Sequence, residues 1–161
     1  MFELYSAQEG QANWQMVTDQ VMGGVSVATM HSSAQGVSLQ GQVSYENNGG
    51  FVQIKWPLPS DLNWAQYDGL YIEAKSSNAL QVEAVLKSSQ LWMPWQSYRV
   101  SLALSEQWQS FVLPFSQFAP YRTQTALNPS RLTQFALLAG QEGVVEFSVQ
   151  RLALYRESSN E

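Results

Sequence analysis

Apolar side chains recur at every second position along most of this chain. Val37, Leu39, Val43 and Tyr45 hold odd positions, Leu70, Ile72 and Ala74 hold even ones, and Leu80, Val82, Ala84 and Leu86 keep the even phase. A period of two sends successive side chains to opposite faces of an extended strand, so each run predicts a strand with one buried face. Tyr98 to Leu104, Trp108 to Leu113, Phe135 with Leu137, and Val145 to Val149 continue the series. After Val149 the apolar phase flips before Leu152 and Leu154, as a β-bulge at Gln150-Arg151 would require. Turn signals separate the runs at Asn47-Asn48-Gly49-Gly50, Asp68-Gly69, Ser76-Ser77-Asn78 and Gly140-Gln141-Glu142-Gly143. Helical signals reduce to Asn128-Pro129-Ser130, an Asn cap with Pro at the first helical position, and to a turn within residues 60–66. Many short strands with regular turns predict an all-β sandwich or barrel.

The same alternation registers one hairpin. Pairing the strand from Leu70 with the strand from Leu80 so that all apolar residues share a face sets Leu70 opposite Leu86 and Ile72 opposite Ala84. The other face, which carries Tyr71, then brings Glu73 across from Glu83, with Lys75 and Lys87 one pleat away to relieve the like charges. Such a face is either simply solvated or a polar or metal-binding face.

Composition narrows the classes. At 161 residues, with 45% hydrophobic and 13% charged residues, the chain fits one ordered domain, expected over residues 1–156, with residues 157–161 as a polar tail. The net charge of −5 repels phosphate backbones, which argues against a nucleic-acid partner. The opening Met1-Phe2-Glu3-Leu4-Tyr5 has neither the basic nor the apolar part of a secretory signal, and no stretch is long enough to span a bilayer. A cytoplasmic location without membrane insertion is the expectation.

Catalytic chemistry finds little support. The sole histidine, His31, sits beside Ser32 and Ser33 in what reads as a polar turn, without a Gly-x-Ser-x-Gly elbow. The absence of cysteine and the single histidine argue against zinc. Asp19, Glu46 and Glu142 fall in loops, but no ligand-dense calcium loop occurs. A sugar-cleaving pair would have to be Glu73 and Glu83. No catalytic residue, metal or cofactor is assigned, and the chain is expected to bind rather than catalyse.

Two segments are more specified than strands and turns require: Asp19 through Met22, Gly23, Gly24 and Ser26, and Glu46-Asn47-Asn48-Gly49-Gly50. Paired glycines allow positive φ and close backbone approach, and asparagine amides fill turns. Either the two loops lock together, with Asp19 accepting backbone N–H bonds, or they form a rim that grips a partner. A third candidate is the aromatic loop carrying Trp92 and Trp95, whose rings either cap the core or stand exposed to stack on sugars or anchor a protein interface.

These segments closely resemble the complex I intermediate-associated protein 30 family. Trp14 followed by Val17-Thr18-Asp19-Gln20-Val21-Met22-Gly23-Gly24-Val25-Ser26 is similar to its W-x-x-V-N-D-x-V-M-G-G-x-S signature, and Gly41-Gln42-Val43-Ser44-Tyr45-Glu46-Asn47-Asn48-Gly49-Gly50-Phe51 to its G-x-V-S-x-E-N-N-G-G-F. Tyr67-Asp68-Gly69-Leu70, Trp108, Leu113-Pro114-Phe115, Phe118 and Asn128-Pro129-Ser130-Arg131-Leu132 follow in the family's order. Thr18 stands where the family usually has Asn, and Gln150-Arg151 replaces an acidic-then-aromatic pair. The resemblance implies a galactose-binding-like jelly roll, a non-catalytic role in assembling a respiratory complex through protein partners, and contact residues in the two signature loops. Carbohydrate binding through the outer sheet face and the Trp loop is the alternative it leaves open.

Overall fold

Alternating side chains need something to bury their apolar edge against, and here two sheets supply it for each other. The computed structural model describes residues 1–9 and 13–157. The back sheet runs β3 (Val27–Ser33), β4 (Gly36–Val43), β12 (Gly143–Tyr155), β6 (Gly69–Ser76) and β9 (Gln109–Pro114), with β1 (Phe2–Ser6) also on β12. The front sheet runs β10 (Ala119–Tyr121), β8 (Ser97–Leu104), β7 (Leu80–Ser88), β11 (Leu132–Ala139), β5 (Val52–Pro57) and β2 (Gln15–Thr18). All of these pairings are antiparallel. The protein is an all-β jelly-roll sandwich of the galactose-binding-like kind.

The core lies between the sheets. Leu39, Leu70, Ile72, Phe147, Leu152 and Leu154 from the back meet Ile54, Leu86, Phe135 and Leu137 from the front, all without solvent exposure. Each such side chain contributes about 1.5–3 kcal/mol by leaving water. Tyr5, Trp14 and Trp56 close one part of the core, with ring centroids 5.1 to 5.5 Å apart. The expected bulge is present: along β6 the register of β12 shifts between Val149 and Arg151, which returns Leu152 and Leu154 to the core. Asn128 caps the turn Pro129–Arg131 by accepting from the Ser130 amide at 3.1 Å.

Two expectations are corrected. Residues 70–75 and 80–86 do not form a hairpin: β6 lies in the back sheet between β12 and β9, β7 in the front sheet between β11 and β8. The link Ser77-Asn78-Ala79 crosses from sheet to sheet, and both strands still turn their apolar edges into one core. His31 lies within the edge strand β3, opposite Ser38, rather than in a turn. The proposed tail begins at Glu157, whose amide donates to Asp68 Oδ2 at 2.7 Å. Residues 158–161 of that tail lie outside the described residues.

Two core groups, the Trp14 indole N–H and the Tyr98 hydroxyl, are polar and unpaired among the described residues. The Tyr98 hydroxyl is fully buried and has no hydrogen-bond partner among the described residues. An unpaired buried hydroxyl costs about 1–3 kcal/mol. Tyr98→Phe is therefore expected to leave the melting temperature unchanged or raise it by a few degrees, and a drop of several degrees in a thermal melt would refute this.

Candidate binding groove and the loops that frame it

The first signature loop is organised around a carboxylate. Thr18 caps the turn Asp19–Met22, accepting from the Gln20 amide at 3.2 Å, and Gly23 ends it at φ 88°. The Asp19 side chain is fully buried. Its Oδ1 accepts the Ser26 amide at 3.0 Å, and its Oδ2 accepts the Ser26 hydroxyl at 2.5 Å, the Gly50 amide at 2.6 Å and the Phe51 amide at 3.3 Å. Ser26 Oγ in turn accepts the Ser44 amide at 2.9 Å. Burial alone would raise this carboxyl's pKa. The bond from the Ser26 hydroxyl, then those from the amides of Gly50, Ser26 and Phe51, outweigh burial and hold it below the usual carboxylate range.

The glycines follow from that clamp. A methyl group on Gly24 would overlap the Asp19 carboxyl, and one on Gly49 would lie 2.5 Å from Oδ2. Asn47 and Asn48 occupy the left-handed region at φ 57° and 60°, which asparagine tolerates better than most residues. Tyr45 donates to the Gly140 carbonyl at 2.8 Å and accepts the Glu142 amide at 3.2 Å, tying in the β11–β12 turn. Of the ten signature-loop residues put forward from sequence, Asp19, Ser26, Gly24 and Gly49 build the clamp, and Gly50 supplies one of its amides. Met22, Glu46, Asn47 and Asn48 face solvent, as do Gly23 and the neighbouring Val21, which is 74% exposed.

The clamped loops frame one end of a groove of about 1010 Å³ across the outer face of the front sheet. Val21, Met22, Gly50 and Phe51 stand at that end, and Trp95, Tyr121 and Arg122 at the other. The floor and sides carry the outward residues of β5, β7, β8 and β11, among them Gln53, Lys55, Val85, Lys87, Arg99 and Gln134. The Arg99 guanidinium lies 3.8 Å from the Tyr121 ring centroid, and its Nε donates to Ser97 at 3.0 Å. Lys87 Nζ donates to the Pro94 carbonyl at 2.6 Å, bracing the Trp95 loop.

The face expected to hold Tyr71, Glu73, Glu83, Trp92 and Trp95 together is divided. Glu83 and Trp95 line the groove. Tyr71 and Glu73 lie on the opposite side of the sandwich, on the back sheet. There Tyr71 donates to Glu73 at 2.6 Å, Gln150 donates to Glu73 at 2.8 Å, and Arg151 grips Glu3 with two bonds of 2.7 and 2.8 Å. That network is satisfied internally. With Glu73 and Glu83 on different sheets, no acid–base pair can form between them, and Glu83 is the one carboxylate among the groove residues described. The tryptophans do not cap the core: Trp92 is 90% and Trp95 53% exposed.

Sequence reasoning missed Lys55, Arg99, Tyr121 and Arg122, and placed Lys87 on a polar outer face only as relief for like charges. Each is an unremarkable polar or aromatic position by itself, and the signal that unites them, their place on one sheet face, depends on a strand order that alternation does not specify.

The front sheet of the jelly roll thus carries an open groove lined by polar and aromatic side chains. The sequence matches the Complex I intermediate-associated protein 30 (CIA30) family over residues 3–150, and the chain belongs to that family. A search of curated proteins finds no match. Among solved structures, the fold is similar to a family 11 carbohydrate-binding module from Clostridium thermocellum in complex with a β-1,3-1,4-mixed-linked tetrasaccharide, at a TM-score of 0.77 and 15% identity over 98% of this chain and 97% of that one. The family 11 module of a cellulosomal cellulase from the same organism gives a TM-score of 0.75 and 16% identity, covering 99% and 96% of the two chains. An agarase matches at a TM-score of 0.65 and 9% identity, over 99% of this chain and 25% of that one. At such identities the likeness is one of fold.

Proposed function

We propose that this chain is a non-catalytic recognition domain that helps assemble a multi-subunit complex, respiratory complex I or one like it, by holding a protein client along the front-sheet groove. Membership of the CIA30 family supports the assembly role. The observation that carries the groove assignment is the exposed rim at both ends, Val21 and Met22 on one side and Trp95 on the other. Exposed aromatic and apolar side chains are the ones that most often anchor a protein interface. Trp95→Ala removes an exposed ring, so the protein should melt as before, while capture of membrane-complex subunits from the source cell falls at least several-fold. Equal recovery of those subunits with the wild-type and Trp95→Ala proteins would refute the groove assignment.

A second reading is carbohydrate binding. The exposed rings of Trp92 and Trp95 favour it, since aromatic faces stack on sugar rings, and the fold is similar to that of a module seen with a bound tetrasaccharide. A glycan array decides it: binding that disappears in Trp95→Ala supports this reading, and an array without signal ends it.

A further inference from the structure

We propose that the front-sheet groove selects an acidic, extended polypeptide segment, its carboxylates read by Arg99 and Lys55 with Lys87 between them. The inference rests on the groove being the recognition surface and adds the chemistry of the partner.

The distribution of charge points to it. The chain has a net charge of −5 and only eight basic residues. Four of these, Lys55, Lys87, Arg99 and Arg122, line this one groove against the single carboxylate of Glu83. Of the four basic residues elsewhere, Arg151 is held by two bonds to Glu3. Among the described residues the one ion pair of Arg99 is with Glu83, at 3.8 Å. Lys87 spends a bond on a carbonyl, and Lys55 and Arg122 have no ion pair among the described residues. Gathering a minority charge on one face costs repulsion, which an anionic ligand would relieve. Lys87 already registers it: burial first, then the neighbouring Arg99 and Lys55, push its pKa below the usual lysine value.

The register gives the spacing. Arg99 pairs with Val85, Val85 with Ala136, and Ala136 with Lys55, so the two cations stand at opposite ends of one row across three strand intervals. At about 4.8 Å per interval the row is about 14 Å long. Its middle is low, because Val85 and Ala136 are buried and short. An extended peptide rises about 3.4 Å per residue and repeats its side-chain direction every second residue, so acidic residues about four apart would meet both ends of the row.

The aromatic geometry favours a peptide over a sugar. Arg99 already covers the Tyr121 ring at 3.8 Å, and Arg122 stands 5.4 Å from the same centroid. Tyr121 is thus spent on positioning guanidinium groups, which leaves Phe51 and Trp95, at opposite ends of the groove, as its other rings.

The test uses the full chain and a fluorescein-labelled Ser/Thr decapeptide carrying two glutamates four residues apart, with a glutamine version as control, read by fluorescence polarisation. The glutamate peptide should bind and weaken as salt is added. Binding should fall about tenfold with Arg99→Gln or Lys55→Gln, the scale of one charge-assisted hydrogen bond, and about a hundredfold with the glutamine peptide, which loses both carboxylates. No binding of the glutamate peptide at low salt, or binding that the two variants leave unchanged, overturns the proposal. So does binding of oligogalacturonate in place of the peptide, which would make the ligand an acidic sugar. Client capture separates this proposal from the broader one. If Trp95→Ala loses clients while Arg99→Gln and Lys55→Gln keep them, the groove assignment stands and anion selection falls; if all three keep them, both fall.

Discussion

Asp19→Asn is expected to destabilise the fold by about 3 kcal/mol at neutral pH and to lower the melting temperature by about 6–12 °C. The carboxylate is buried and offers acceptors to four donors, one hydroxyl and three backbone amides. An asparagine keeps one oxygen and turns an NH₂ toward groups that themselves donate. Either rotamer leaves at least one buried amide facing a donor, and hydrogen bonds to a charged acceptor are worth about 1.5–3 kcal/mol each. The pH dependence follows from the direction of the shift. Asp19 titrates below its ordinary value in the folded state, so its contribution is complete above the unfolded value of about 3.9 and is lost as pH falls through the folded value. The gap between wild type and Asp19→Asn should therefore be constant above about pH 5 and narrow below about pH 4. Melts across that range check both statements, and a variant that matches wild type at pH 7 would remove the clamp from the account.

How the clamp and the groove relate was only half legible in the sequence. The sandwich could be read because alternation, turn residues and the phase flip at Gln150-Arg151 all report local facts, and the structure reproduces them. Sheet partnership is not local. The in-phase apolar residues of Leu70 to Ala74 and Leu80 to Leu86 satisfy two strands side by side and two strands facing each other across a core equally well. The pattern by itself predicts a hairpin, whereas the chain crosses between sheets at Ser77-Asn78-Ala79. A hairpin would bring Glu73 and Glu83 together; the crossing sets them on different sheets. Short strands were lost for a different reason: β2 has four residues and β10 three, too few to display a period. β10 carries Tyr121 and β2 carries Val17, so two members of the groove lay on elements without a sequence signal. The signature loops, by contrast, were conspicuous because buried polar chemistry leaves little freedom. Only a residue with no side chain fits against the Asp19 carboxyl, and few besides Gly and Asn accept the backbone angles of Asn47 and Asn48.

Gly24→Ala is the sharpest probe of whether the first signature exists to hold the fold or to touch a partner. Gly24 does not have the positive φ that would by itself penalise alanine; a methyl group there instead overlaps the Asp19 carboxyl carbon and Oδ1. Asp19 cannot swing aside without releasing the Ser26, Gly50 and Phe51 donors together. The cost is expected near the upper end of overpacking effects, about 3 kcal/mol. In an Asp19→Ala background the obstruction is gone, and the same substitution should cost less than about 1 kcal/mol, a coupling of about 2 kcal/mol in a double-mutant cycle. Gly23→Asn is the control one residue away. Nothing lies within 4 Å of a Cβ at Gly23, and its φ of 88° asks only for left-handed backbone, so its cost should stay near 1 kcal/mol. Additive costs for Asp19→Ala and Gly24→Ala would mean that the glycine is not there for the carboxylate. Strong coupling, with client capture kept at temperatures where the variants remain folded, would mean that the motif sets the shape of the rim while Val21, Met22 and the groove behind them make the contact.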